Sequence, residues 1–141
     1  MKHSRRQVMN TPLFGLILLV LAGAVVAGEA VSKRYESFEV RSQDGTSPTF
    51  IFSAADATSE SPIVISVPGR KLTEADRQHR VGLQKYWLSK NVPKDFEYRV
   101  RSLVECGLQR PGEFAACDHY VFVDPKSEQE FHYYIYVGNW P

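Results

Sequence analysis

Neither sign of charge dominates this chain, and that absence excludes a first class of functions. The sequence carries 17 Lys and Arg against 16 Asp and Glu. Setting aside residues 1–30, which hold three of those bases and one of those acids, leaves 14 against 15, a formal charge of −1. A nucleic-acid-binding domain needs a basic face, and none is offered here. Cysteine is scarce as well: Cys106 and Cys117 are the only two, and their spacing matches no redox pair of the CxxC type. Repeats and low-complexity tracts are absent, which argues against solenoids and flexible scaffolds. No catalytic or metal-binding motif stands out, so no cofactor is expected.

The most informative stretch is the N-terminus. Lys2, Arg5 and Arg6 precede an uncharged run, residues 7–28, whose centre at 13–27 is almost wholly apolar, the layout of an export signal. Val25-Val26-Ala27 and Ala22-Gly23-Ala24 both supply small residues suited to a signal peptidase, so cleavage near Gly28 or Val25 is one reading. Retention as a membrane anchor is the other. A spanning helix needs roughly 20 apolar residues, which residues 13–27 reach only when 8–12 are added. In either case the basic end stays inside and residues 31–141 are exported. Ser4-Arg5-Arg6-Gln7-Val8-Met9 resembles a twin-arginine signal, although an ordinary basic leader with two adjacent arginines reads the same way. The chain thus divides into 1–30, a signal peptide or single anchor, and 31–141, one exported domain with a single core.

Within 31–141 the apolar residues alternate in short runs. Residues 35–41, 49–53 and 63–67 read as strands, with an Asp44-Gly45 turn after the first. Residues 54–62 hold Ala, Ser, Thr, Asp and Glu and read as a surface loop. A helix is expected from Thr73, its N-cap, to Asn91, with Ala75, His79, Gly82, Leu83, Tyr86 and Trp87 on its buried face and Gln84 off it. Residues 96–104 alternate as a half-buried strand. Residues 118–123 and 131–137 then form a hairpin around Asp124-Pro125. Pairing Asp124 with Gln129 sets Phe122 opposite Phe131, Tyr120 opposite Tyr133 and Asp118 opposite Ile135; a one-residue slip would bring polar residues opposite these. The expected fold is α+β: an antiparallel sheet of about six strands in the order β-β-β-α-β-β-β, with one helix packed across it. The strand at 131–137 is apolar on both faces and is expected to be central.

Several groups of residues invite a chemical reading. Cys106 and Cys117, in an exported domain, are expected to form a disulfide at the base of a loop, worth about 3 kcal/mol by chain entropy. That loop presents Leu108, Arg110, Glu113 and Phe114 from a closed base, which lowers the ordering cost to a partner. Tyr134 and Tyr136 lie on the face of their strand opposite the helix and extend the candidate binding surface. His119 and His132 fall diagonally on one face, without a third ligand for a metal. Asp118 and His119, with Ser102, do not make a hydrolytic triad, because neighbouring strand residues point to opposite faces. Glu105 and Glu113 flank the loop as solvated carboxylates rather than an acid–base pair.

The sequence therefore reads as a non-enzymatic interaction domain of the cell envelope, an inhibitor, immunity protein or accessory subunit, whose partner is another envelope protein. The membrane is met only through residues 8–28, if they are kept. The alternative is a small-ligand or enzymatic domain with a pocket between helix and sheet, lined by Tyr86, Trp87, Tyr98, Tyr133 and His79.

Overall fold

The structure is a computed structural model that describes residues 33–141. The expected export segment, and with it the choice between cleavage and anchoring, lies outside the described residues.

Among the described residues, six strands and one α-helix give an α+β fold, with the strands divided between two antiparallel sheets rather than joined in one. The first sheet holds β1 (Phe38–Val40), β2 (Phe50–Phe52) and β3 (Ile65–Ser66), in that order. The Asp44-Gly45 turn joins β1 to β2, with Gly45 at φ +70, a conformation glycine adopts without steric cost. The Ser42 hydroxyl, then the Thr46 N–H and hydroxyl, donate to the Asp44 carboxylate and hold its pKa down at about 2.

Residues 54–62 depart from the surface loop expected of them. Ala55 and Ala57 are buried, and Ala55 exchanges backbone hydrogen bonds with Tyr35. The small side chains that made this stretch look unable to bury anything allow its backbone to pack closely.

The second sheet holds β4 (Glu97–Glu105), β5 (Ala116–Val123) and β6 (Glu130–Tyr136). The β5–β6 register is the expected one: Phe122 opposes Phe131, Tyr120 opposes Tyr133 and Asp118 opposes Ile135. The Asp124 N–H donates to the Gln129 carbonyl at 3.0 Å and closes the turn. Beyond β6 the chain pairs again. Tyr134 N–H donates to the Ala57 carbonyl, Ile63 N–H to the Tyr134 carbonyl, and Tyr136 N–H to the Ile63 carbonyl. β6 is therefore flanked by β5 on one side and by residues 57–63 on the other, the central position its two apolar faces require.

Strand β4 corrects the expectation of a half-buried strand. It is exposed along nearly its whole length, and its register shifts between Tyr98 and Val100. The extra residue, Arg99, makes a bulge that moves the following residues onto opposite faces. Tyr98, Arg101 and Leu103, opposite Phe122, Tyr120 and Asp118, consequently share the helix-side face, while Val100 and Ser102 look the other way.

A 3-10 turn (Asp76–His79) leads into helix α1 (Arg80–Asn91). Thr73, expected as the N-cap, opens this segment, but its hydroxyl caps no backbone N–H. It donates instead to Asp76, whose carboxylate reaches back to accept the Thr73 N–H at 2.8 Å and is clamped by Arg70 at 2.6 and 3.0 Å. The buried residues of α1 are Leu83, Gln84, Trp87 and Leu88, so its inner face is turned from the expected one: Gln84 goes in, while Gly82 and Tyr86 stay outside. Trp87 anchors the helix edge-on to Tyr35 and Tyr133, with ring centroids 4.9 and 6.1 Å away. Phe50, Phe52, Ile63, Ile65 and Ile135 complete one core shared by both sheets and α1.

Candidate functional site

The connection from β4 to β5 is covalently closed. Cys106 and Cys117 form a disulfide with their Cα atoms 5.8 Å apart, and no free cysteine remains. A stable disulfide places this domain in an oxidising, extracytoplasmic environment. The bond sits on a small second core, where Val64, Val104, Leu108 and Tyr134 pack against Cys106, Cys117 and Tyr136.

Further bonds hold the loop along its length. Gly107 N–H donates to the Ser59 carbonyl at 2.8 Å, and Glu113 N–H to the Arg110 carbonyl at 3.1 Å. The Phe114 carbonyl accepts two bonds at 2.8 Å, from the Ala116 N–H and from the Tyr136 hydroxyl. Gly138 lies flat against that same carbonyl, where a Cβ would collide with the backbone of Phe114, so only glycine permits this approach. This tethered backbone presents a phenyl ring to water: Phe114 is 81% exposed, the most of any large apolar residue described.

The expected site residues thus take different positions. Leu108 is half-buried and supports the loop from beneath. Arg110 and Phe114 face outward, while Glu113, 3.6 Å from Arg110, is half-buried. Tyr134 stacks on His119 with centroids 4.4 Å apart. Tyr136 corrects the picture of an exposed tyrosine pair: it is fully buried. Burial first, and then the neighbouring Glu113 carboxylate, raise its pKa, so it remains a neutral hydrogen-bond donor to the loop.

Beside the loop lies a cleft of about 380 Å³, bounded by Arg110, Glu113 and Phe114 on one side and by Lys71, Asn139 and Trp140 on the other. Glu113 Oε2, Asn139 Oδ1 and Trp140 Nε1 are each buried without a hydrogen-bond partner among the described residues. The only other such side-chain atom among the described residues is Trp87 Nε1. Glu113 Oε2 keeps an ion pair with Arg110 at 3.6 Å, which leaves Asn139 Oδ1 and Trp140 Nε1 as the polar atoms of the residues lining this cleft that are closed off from solvent with no partner among the described residues. Nothing in the local sequence pairs residues 139–140 with residue 113; the fold brings them together.

His119 Nε2 and His132 Nδ1 approach to 2.9 Å, the diagonal contact expected from the register. One ring's N–H donates to the other ring's lone pair, the direction being set by the tautomers. Burial first, and then the nearness of His132, lower the pKa of His119. Asp118 is turned away from this pair. Its carboxylate accepts from Arg101 Nε and Nη2, both at 3.1 Å, and from Gln84 Nε2 at 2.8 Å, while Tyr120 donates to Gln84 Oε1 at 2.5 Å.

That buried network escaped the sequence reading. Its signal was present in a helical wheel drawn through Leu83, Trp87 and Leu88, which would have put Gln84 inside and facing the one acid of an otherwise apolar strand face. The pocket lining expected between helix and sheet is also corrected. Trp87 and Tyr133 are core, His79 packs on Phe50, and Tyr86 lies outside; of the five, Tyr98 alone borders the groove that exists there. No family model, curated protein or solved structure gives a significant match to this chain.

Proposed function

We propose that this chain is a non-enzymatic interaction domain, working outside the cytoplasm, that holds another protein of the cell envelope through the 106–117 loop and the cleft beside it. The supporting observation is an exposed Phe114, beside an exposed Arg110, on a loop backbone fixed by the disulfide, by the Tyr136 hydroxyl and by the close approach of Gly138. A protein partner supplies what such a surface lacks. An apolar pocket on the partner takes the phenyl ring, and a carboxylate or carbonyl there accepts from the exposed Arg110 guanidinium. Because the disulfide and the Tyr136 hydroxyl already order the loop, little ordering cost is left to the binding step. Tyr136 and Leu108 act here as supports, and Arg110, Glu113 and Phe114 as contacts. The domain works in the periplasm or on the outer face of the inner membrane, according to the fate of residues 1–30.

The test is capture from envelope extract with wild-type protein and with the Arg110→Ala/Phe114→Ala variant, followed by affinity measurement on the captured partner. The variant is expected to melt within about 2 °C of wild type and to bind about 30-fold or more weakly. Undiminished capture of the same partner would refute the loop as the binding surface.

A further inference from the structure

A second feature, independent of the loop, lies on the helix-side face of the second sheet. Helix α1 covers β5 and β6 there, as Gln84 meets Asp118 and Trp87 meets Tyr133, but it leaves the part toward β4 open. The result is a groove of about 760 Å³, walled by Leu88 and Val92 on the helix side and by Phe96, Tyr120 and Phe122 on the sheet side. Sites for small organic molecules run from about 300 to 1,000 Å³ and are mainly apolar with a few placed polar groups, and this groove fits that description.

The charge on its walls is one-sided. Lys85, Lys94 and Arg101 line it, and no Asp or Glu does among the described residues. In a domain that is close to neutral, this asymmetry is local. Lys85 and Lys94 are exposed and form no ion pair among the described residues. Arg101 spends Nε and Nη2 on Asp118, so its Nη1 has no acceptor among the described residues, while Asp118 holds the guanidinium in place. The apolar floor and cationic rim are complementary to a molecule with a hydrocarbon body and one anionic group.

An added peptide strand is a poorer occupant. The edge of the sheet is β4, whose bulge at Arg99 and charges at Glu97, Arg99, Arg101 and Glu105 are the devices that discourage strand addition. We propose that the groove between α1 and β4 binds one small apolar carboxylate, its chain lying over Leu88, Val92 and Phe122 and its carboxylate meeting Arg101 Nη1 and the Lys85 and Lys94 ammonium groups.

The full-length protein, titrated calorimetrically with decanoate and with decanol, tests this. Decanoate is expected to bind at one site per chain, about five- to tenfold tighter than decanol, and more weakly as salt is raised. Lys85→Gln/Lys94→Gln alters exposed side chains only and should weaken decanoate about two- to fivefold while leaving decanol unchanged, the remaining preference resting on Arg101. Ser89→Trp, which fills the groove from the exposed side of the helix, should abolish binding of both without lowering the melting temperature. Arg110→Ala/Phe114→Ala should bind decanoate as wild type does, which separates this site from the loop. Equal affinity for decanoate and decanol, no saturable binding, or an unchanged Lys85→Gln/Lys94→Gln variant would each overturn the proposal. So would binding of an acidic amphipathic peptide, or of vesicles with anionic lipid, in the absence of any binding of monomeric decanoate.

Discussion

Gln84→Leu is the substitution that most directly tests how the helix is locked to the sheet. Gln84 is wholly buried, giving Nε2 to Asp118 at 2.8 Å and receiving the Tyr120 hydroxyl on Oε1 at 2.5 Å. Leucine has a similar volume, so the change deletes hydrogen bonds rather than opening a cavity. The bond to the carboxylate is charge-assisted and worth about 1.5–3 kcal/mol, and the stranded Tyr120 hydroxyl adds about 1–3 kcal/mol. Greater burial of apolar surface by leucine gives back roughly 1–2 kcal/mol. Asp118 keeps both Arg101 bonds and is not left as an isolated charge. The net expectation is a loss of about 2–3 kcal/mol, which for a domain of this size lowers the melting temperature by about 8–15 °C. Thermal and urea unfolding followed by circular dichroism would measure it. A second variant sharpens the test. Tyr120→Phe on the Gln84→Leu background removes the stranded hydroxyl, so the double variant should be less destabilised than the sum of the singles by about 1 kcal/mol or more. A Gln84→Leu protein that melts within about 3 °C of wild type, or strictly additive singles, would refute the network as the lock between α1 and β5.

Three other outcomes follow from the same structure. Cys117→Ser opens the loop closed by Cys106 and should cost about 3 kcal/mol on the chain-entropy account; denaturing thiol labelling of the oxidised wild type should find no reactive cysteine. Asp76→Ala removes an acceptor shared by Arg70 and Thr73 and should cost about 2–3 kcal/mol at neutral pH. The Arg70 bonds first, with the Thr73 N–H and hydroxyl, hold the Asp76 pKa far below the usual carboxylate value. Its contribution is therefore complete above about pH 5 and is lost as the pH falls further, so the gap between variant and wild type should narrow from about pH 5 toward pH 2. His119 behaves oppositely to a base that gains a partner. Its folded pKa is lowered by burial and then by His132, so the unfolded chain binds the proton more readily, and stability falls as the pH descends through about 6.5. The urea midpoint of wild type should drop more between pH 7.5 and pH 5 than that of His119→Phe, which keeps a ring on Tyr134; parallel curves would refute the pair's role.

What the sequence by itself determined are features set by neighbours along the chain. The β5–β6 register follows from a turn anchored at Asp124 and Gln129 and from the single alignment that puts aromatic residues opposite aromatic residues. The disulfide follows from two cysteines brought together by that meander, and the Asp44-Gly45 turn from glycine's freedom at positive φ. Tertiary structure decided the rest. Ala57 and Ile63 bond to β6 across more than seventy residues of chain, a pairing no local pattern encodes. The Arg99 bulge exchanged the faces of β4, and alternation, being strictly local, cannot register one inserted residue. Gln84 went inside because Asp118 and Tyr120 were there to satisfy it; read alone, a glutamine in a helix belongs to the wet face. The cleft beside Phe114 is of the same kind. Glu113, Asn139 and Trp140 meet only because Gly138 lets the C-terminal segment lie against the loop, and that contact between distant parts of the chain turns a stapled connection into a candidate binding site.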